Sequence, residues 1–542
     1  MGHVRGSYEE IVDVGRTVLL WAIPLALVSL IGPWDLGPRT LPTITAALAM
    51  LGMFGARFLL RAATTRPGDV MGAGARLVLV FGAGSGGRQL VRTLVRDPGS
   101  HMVPVGFIDD DHKKRRLRID GVRVLGKREK IVDVAEATGA TILAVAVPSA
   151  SPALLQDLQR RSRDAGLDLL VLPPARDILG KPGASDLRSL DLSDLLGRRP
   201  IELDHTAIAE SIQGRTVLVT GAGGSIGSEL CRQIAKFGPR KLLLLDRDES
   251  ALHSTQISIT GQGLLDDDTT VLADIRDPER MSEVFEQARP DVVFHAAALK
   301  HLPLLERFPE EAWKTNVLGT LNVLTAARAS GVATFVNVST DKAANPSCIL
   351  GYSKRITERL TADFARQAEG TFVSVRFGNV LGSRGSVITA FTAQIERGGP
   401  ITVTHPEVER YFMLIPEACQ LVLQSAAIGR DGEVMVLDMG EPAKIEEVAR
   451  TLIDLSGRND VEIIYTGLRP GEKLSEELFT PGEEIKATKH PLVSSVHVPL
   501  MDSTWVRKVR HRSAADSAAW MFTAASPGLD VEAPLEDATH VN

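Results

Sequence analysis

What the chain has little of narrows it first. Its 542 residues include three cysteines, Cys231, Cys348 and Cys419, and no CxxC pair. That excludes a disulfide framework and a cysteine-rich zinc site, and no metal is expected. Free thiols in such small number suit a reducing compartment. Four tyrosines and five tryptophans leave little material for an aromatic carbohydrate-binding face. Positive charge is not in excess either: the net charge is −6, which gives no reason to expect a nucleic-acid partner. With 44% hydrophobic and 24% charged residues the chain is otherwise ordinary, and its length calls for two or three domains.

Charge is missing altogether from two N-terminal runs, Thr17 to Trp34 and Leu41 to Ala56, the second continuing apolar through Phe58, Leu59 and Leu60. A span needs ~20 residues, which each run reaches with its flanks. The loop between them is very short, so the pair predicts a hairpin with both ends on one side. Arg57, Arg61 and Arg66 place that side in the cytoplasm by the positive-inside rule. No small-residue cleavage site marks a signal peptide. Residues 1–66 therefore read as a membrane anchor with two transmembrane helices.

A nucleotide-binding pattern follows over 76–178. The strand-like run Arg76 to Phe81 leads into Gly82, Gly84 and Gly87, spaced GxGxxG, and then into a helix from Arg88 to Val95. A further strand, Val105 to Ile108, ends in Asp109-Asp110-Asp111, either a binding acid or a solvated turn. The basic run Lys113 to Arg116 reads as a hairpin tip. No catalytic cluster accompanies this domain, which leaves a regulatory or structural role beside a second bound nucleotide; fold does not choose between them. Residues 179–213 read as a connector.

The pattern returns over 214–500 with more detail. The strand Thr216 to Val219 runs into Thr220-Gly221-Ala222-Gly223-Gly224-Ser225-Ile226-Gly227 and then a helix. Gly221, Gly224 and Gly227 fit the TGxxGxxG spacing of the short-chain dehydrogenase superfamily. Such a turn brings backbone N–H groups and a helix N-terminus against a pyrophosphate. The next strand ends in Asp246, 19 residues after Gly227, where an acid can bind a ribose 2′-hydroxyl and repel a 2′-phosphate. That favours NAD over NADP, although Arg247 beside it pulls the other way. Asp274 and Ile275 are placed to touch adenine, and the small Ala296, Ala297 and Ala298 to let backbone approach the cofactor. The strand–helix alternation predicts an α/β chain: the transmembrane hairpin, then two Rossmann-like doubly wound parallel-sheet domains. Ligands of such sheets sit at the carboxyl ends of the strands. At that edge lies Val338 to Lys354, which holds Thr340, Asp341, Lys342 and Lys354, all able to move protons or hold a hydroxyl.

Seven stretches resemble one family, the membrane-anchored nucleotide-sugar 4,6-dehydratases of bacterial polysaccharide and glycan biosynthesis (CapD-type). They are Asp194–Pro200 (DLLGRRP), Thr220–Leu230 (TGAGGSIGSEL), His295–His301 (HAAALKH), Ser339–Ala343 (STDKA), Arg376–Val387 (RFGNVLGSRGSV), Tyr411–Met413 (YFM) and Leu468–Leu474 (LRPGEKL). With the anchor and first domain, the resemblance covers about residues 15–500. It implies a bacterial cytoplasmic (inner) membrane with the catalytic domains facing the cytoplasm. Family members commonly have four spans where this chain shows two.

The resemblance also implies the chemistry. Sugar C4 is oxidised with NAD, water is lost across C5 and C6, and C6 is then reduced. Asp341 would be the acid, Lys342 the base, Thr340 the partner of the C4 hydroxyl and Lys354 the holder of the nicotinamide ribose. Burial, nearby Lys354 and the nicotinamide cation are expected to lower the Lys342 pKa. Lys300, His301, Asn316, Asn379, Ser386, Val387, Phe391, Arg469 and Glu472 would bind a UDP-sugar in a small C-terminal α/β substrate lobe. Val387 and Phe391 would pack on uracil, Arg469 would hold phosphate and Glu472 ribose. A homo-oligomer is expected, with other polysaccharide-assembly enzymes as further candidate partners.

One position departs from the superfamily. Its YxxxK tyrosine is replaced by Leu350, and Tyr352 stands only two residues before Lys354, on another face of a helix. The sequence thus favours a UDP-N-acetylglucosamine 4,6-dehydratase over a UDP-sugar epimerase on the same fold, which would want that tyrosine. A non-catalytic, NAD-sensing membrane scaffold is the rival from another class. The tail, 501–542, is basic and then acidic and reads as disordered.

Overall fold

A computed structural model describes residues 41–64, 75–173, 183–190 and 201–526 apart from short breaks, with a few positions between 16 and 27. It divides into two compact units, Met1–Leu190 and Asp191–Asn542.

Helix α1 (Leu41–Thr64) forms over the second uncharged run. No helix among the described residues is long and apolar enough to cross a membrane. Arg57 and Arg61 fall inside α1, so its uncharged part stops at Ala56, short of the ~20 residues a span needs. Most of the first run lies outside the described residues. The transmembrane hairpin is thus not reproduced.

The rest of the first unit is the expected α/β layer. Strands β1 (Arg76–Phe81), β2 (Met102–Ile108), β3 (Val122–Gly126), β4 (Ile142–Val145) and β5 (Asp168–Val171) pair in parallel in the order β3-β2-β1-β4-β5. Helices α2 (Ser85–Arg96), α3 (Ile131–Thr138) and α4 (Pro152–Asp164) connect them. The glycine turn is tight: a Cβ on Gly87 would lie 1.8 Å from the Gly82 carbonyl oxygen. Asp109 is buried instead of lying in a solvated turn. Its Oδ2 accepts the Ala83 N–H at 2.7 Å and Lys114 Nζ at 3.0 Å, so Lys114 points inward from what read as a hairpin tip. The expected connector is divided. Arg188–Ser189 adds an antiparallel edge to the first sheet, whereas α5 (His205–Ile212) buries Ile208 and Ile212 in the second unit.

The second unit is a larger sheet. Its strands are β6 (Thr216–Thr220), β7 (Lys241–Asp246), β8 (Thr270–Leu272), β9 (Val292–His295), β10 (Thr334–Val338), β11 (Thr371–Arg376), β12 (Glu433–Leu437) and β13 (Val493–His497). They lie in the order β8-β7-β6-β9-β10-β11-β12-β13, parallel except for the last pairing. Every residue of β6 is buried, as expected of a central parallel strand covered on both faces. The helices that matter to the site are α6 (Ser225–Ala235), α7 (Glu249–Thr260), α8 (Thr320–Ala329), entered through a π turn at Trp313–Gly319, and α9 (Ile349–Ala365). The C-terminal lobe has its own core, with Phe391, Ile401, Val403, Val408, Phe412, Ile445 and Val448 buried together. Its α10 (Val387–Glu396) and α11 (Ile445–Ser456) pack over short paired strands at 401–403 and 463–465.

The tail differs from expectation. Residues Ser503–Lys508 and Ala514–Ala525 form helices α12 and α13, and Met501, Trp505, Val506, Met521 and Ala524 join the core that covers α9. Arg359 on α9 donates to the carbonyls of Pro499, Leu500 and Ala524, which pins these helices down. Arg507 and Lys508 stand in the last turn of α12, just after its buried Trp505 and Val506, which composition alone does not reveal. Residues 527–542 lie outside the described residues.

Candidate active site

Beyond the carboxyl ends of β6, β9 and β10 lies a cleft of about 540 Å³. Its floor at one end is the second glycine turn. Gly221 has φ +70°, and a Cβ there would lie 2.6 Å from the Ala297 backbone nitrogen. A Cβ on Gly227 would lie 2.0 Å from the Gly221 carbonyl oxygen, so α6 can start this close only with glycine. We expect Gly227→Ala to weaken dinucleotide binding and to cost about 1–3 kcal/mol through overpacking. A thermal melt beside a dinucleotide titration reads both, and an unchanged melting temperature would show that the turn can open.

The turn is held from below. Asp246 Oδ2 accepts the Gly223 N–H at 2.8 Å and Oδ1 the Asp248 N–H at 3.0 Å. Gly221, Gly224, Asp246, Arg247, Asp274, Ile275 and the Ala296–Ala298 backbone surround an adjoining recess of about 130 Å³. Arg247 lies 3.6 Å from Asp274, which also accepts from Arg276. Burial would raise the Asp274 carboxyl; the bonds from Arg276 and the charge of Arg247 take it below its ordinary value. Arg247 is thus partly engaged with a carboxylate.

Thr315 was not singled out from the sequence. It lines the recess from the π turn, and its buried hydroxyl has no partner among the described residues. With the tight cradle, that orphaned donor fits a bound nucleotide. Nothing in the local sequence marks it, because the π turn that aims it does not show in residue spacing.

Behind the cradle, His295 is fully buried between Thr220 Oγ1 (2.7 Å from Nδ1) and Thr320 Oγ1 (2.9 Å from Nε2). Thr320 donates its own proton to the Asn316 carbonyl, so it accepts from Nε2–H, and Nδ1 accepts from Thr220. Burial, then the charge of Lys354, lowers the imidazole to about 3 and keeps it neutral. The Thr220 side chain is spent inside the fold, not on a cofactor.

Asn316 also departs from expectation. It is fully buried, accepts the Leu299 N–H at 2.8 Å and donates to Leu299 O and Ser353 Oγ, both at 3.0 Å. It fixes the backbone at Leu299 and does not line the cleft.

The proton-active groups converge where β10 ends. Thr340, Lys342, Leu350 and Lys354 line the cleft, and Asp341 sits just behind them, 1% exposed. Asp341 Oδ1 accepts from Thr340 Oγ1 at 2.9 Å and Lys342 Nζ at 3.1 Å, while the buried Oδ2 has no partner among the described residues. Lys354 Nζ donates to Val338 O at 2.8 Å; burial lowers its pKa to about 8, opposed by Glu358.

Lys342 goes the other way from expectation. Burial would lower its pKa, but Asp341 and Glu476 outweigh burial and Arg410, so it is raised. The sequence reading missed Glu476, whose Oε1 lies 3.3 Å from Lys342 Nζ, and Arg410, whose Nε lies 3.8 Å from the same oxygen.

Leu350 faces the cleft in the place of the missing tyrosine. Tyr352 turns away, its ring edge-on to Phe522 of α13 with centroids 5.5 Å apart, so it cannot substitute.

Gly224, Ser225, Ile226, Gly227, Ala296, Ala298, Lys300, His301, Asn379, Ser386 and Val387 also line the cleft. Burial and then Lys300 lower the His301 pKa. Ser386 caps α10, its Oγ accepting the Thr389 N–H at 3.4 Å. Phe391 does not line the cleft; at 2% exposure it belongs to the lobe core, one turn beyond Val387. Arg469 is exposed away from the cleft. Glu472 Oε1 accepts from Thr404 Oγ1 at 3.0 Å and Arg410 Nη2 at 3.1 Å, which spends it on the lobe itself.

Known families and proteins resemble this chain. A family model described as "Polysaccharide biosynthesis protein" matches residues 217–498, and one described as "CoA-binding domain" matches 42–173. The "Probable polysaccharide biosynthesis protein EpsC" of Bacillus subtilis (strain 168) is 44% identical over 80% of this chain and 73% of its own. The "Capsular polysaccharide biosynthesis protein CapD" of Staphylococcus aureus is 45% identical over 75% and 69%. A "UDP-glucose 4-epimerase" of Rickettsia akari is 35% identical over 50% of this chain and 80% of its own. By these matches the chain belongs to the CapD/EpsC-type polysaccharide biosynthesis proteins.

Proposed function

We propose that the chain is an NAD-dependent UDP-sugar 4,6-dehydratase, with UDP-N-acetylglucosamine as the substrate to test first. One observation carries the reading: an Asp341–Lys342 pair closes the cleft beside a dinucleotide cradle, with Leu350 where a tyrosine base would stand. An epimerase and a dehydratase must both take the C4 hydroxyl proton, which leucine cannot do; only a dehydratase needs in addition an acid and a base near C5 and C6, the types that Asp341 and Lys342 supply.

The residues that would hold NAD are Gly221, Gly224 and Gly227 at the pyrophosphate, Asp246 at the ribose, Thr315 in the recess and Lys354 at the nicotinamide ribose. Bound there, NAD supplies a reversible store for the hydride that leaves C4 and returns to C6. Thr340 bonds the C4 hydroxyl and relays its proton, released as the hydride leaves, to Asp341 Oδ1, which its own hydroxyl meets at 2.9 Å. Lys342 in its amine form takes the C5 proton, which the C4 ketone has made acidic, and gives a proton back to C5 when the hydride arrives at C6. Asp341 in its acid form protonates the departing C6 hydroxyl, which leaves as water. Asn379, Ser386 and Val387 support the nucleotide diphosphate from the lobe. Membrane attachment through residues 1–66, with the catalytic unit in the cytoplasm, belongs to the same reading and rests on the two uncharged runs.

The test incubates the full chain with UDP-N-acetylglucosamine and NAD and follows the sugar by NMR. A 4-keto-6-deoxy product is expected. A C4 epimer would replace the reading with an epimerase, and bound NAD without turnover would replace it with a scaffold.

A further inference from the structure

The segment Arg469–Glu483 is stitched along the catalytic stretch. Ser347 Oγ donates to Gly471 O at 3.1 Å, Lys473 Nζ to Asn345 O at 2.7 Å, and the Asn345 N–H to Thr480 Oγ1 at 3.2 Å. A Cβ on Gly471 would lie 2.8 Å from Cys348 Cβ, so the two backbones touch. Within this seam Glu476 is buried and faces Lys342. Lys342 Nζ then donates to Asp341 Oδ1 at 3.1 Å and Asn379 Oδ1 at 3.4 Å, and Glu476 Oε1 lies 3.3 Å away as a second ion-pair partner. An ammonium satisfied in this way has no lone pair to offer a carbon acid.

We infer that Glu476 is a positioning residue that acts through Lys342: it fixes the ammonium in the resting enzyme and sets the pH at which the amine becomes available. The link to C5 proton abstraction rests on the dehydratase reading; the coupling of Glu476 to Lys342 does not. The charged and titratable groups facing Lys342 are Asp341 on its own turn, Glu476 on the seam, Arg410 on the short lobe strand Glu409–Arg410 and Cys348 ahead of α9, with Lys354 and His301 lining the same cleft. Asp341 and Glu476 hold the proton on, Arg410 and burial push it off, and the carboxylates prevail. Removing one carboxylate charge therefore lowers the Lys342 pKa.

The experiment compares the full chain as wild type, Glu476→Gln and Glu476→Asp. Competitive acetylation with acetic anhydride across pH, read by mass spectrometry on the peptide holding Lys342, reports the amine fraction without any need for turnover. In Glu476→Gln the midpoint is expected to fall by about one to three pH units, the usual effect of a charge at this range. Glu476→Asp keeps the charge and should stay near wild type, which separates the effect from loss of packing. The rising arm of C5 proton exchange against pH should move down with the labelling midpoint. Identical labelling profiles in wild type and Glu476→Gln would overturn the inference. A shifted labelling profile in an enzyme that does not dehydrate would uphold the coupling and remove the dehydratase reading.

Discussion

Replacing Lys342 with alanine is expected to slow exchange of the C5 proton with solvent by about 10²–10⁴-fold, the range that a positioned general base contributes. The variant has a second effect that must be separated from the first. Lys342 lies between the buried carboxylates of Asp341 and Glu476, so its loss strands two charges, and breaking such a pair costs about 3–5 kcal/mol. Arg410, 3.8 Å from Glu476, recovers part of that. Pairing Lys342→Ala with Glu476→Gln removes one stranded charge. The double variant should regain melting temperature relative to Lys342→Ala while exchange stays at the low level. Exchange retained in either variant would take Lys342 out of the base role.

The largest effect on stability is expected from Arg376→Met. Arg376 is fully buried and forms a fork with Glu358 (2.8 Å at both Nε and Nη2) and Glu483 (2.9 and 3.1 Å), and Arg355 reaches both carboxylates. Methionine fills the volume but leaves the carboxylates underpaired, at a cost of about 3–5 kcal/mol by denaturant titration. This network touches the site without entering it. Glu358 Oε1 also accepts from Ser339 Oγ at 2.7 Å, at the end of β10, and lies one helical turn beyond Lys354. The loss should therefore reach NAD affinity as well as folding.

Acid offers a second reading of the same network. Burial would raise Glu483, but the bonds and charge of Arg376, the Thr480 N–H and Arg355 bring it down to about 2. A carboxyl depressed in the folded state contributes stability above its unfolded pKa and loses it as pH falls toward the folded one. The gap between wild type and Arg376→Met should accordingly narrow from about pH 4.5 to about pH 2. A gap constant across that window would mean that Arg376 acts through packing alone.

The strands, both glycine turns and the convergence of Thr340, Lys342 and Lys354 were legible in the sequence because each rests on local spacing: apolar runs of strand length, glycines at fixed offsets and a helix that carries Lys354 back to the strand end. Leu350 was legible for the same reason. The lobe was not. Phe391 and Val387 are four residues apart on α10, yet one is core and the other faces the cleft, because α10 is wrapped by a lobe whose packing no periodicity announces. Glu472 and Asn316 carry side chains fit to bind a sugar, but their bonds are taken by Arg410, Thr404 and Leu299. Glu476 and Arg410 meet Lys342 from positions 134 and 68 residues away, a distance over which charge pairing leaves no local signature.

The helices of residues 503–525 bear on how the protein is made. α9 carries Lys354, and its outer side is closed by residues that the ribosome delivers about 150 positions later. Domains generally fold as units during synthesis, N-terminal units first. The first unit can complete its core while translation continues. The second unit cannot seal its own until residue 525 has emerged, so slow translation of its final stretch prolongs the exposure of apolar surface around α9.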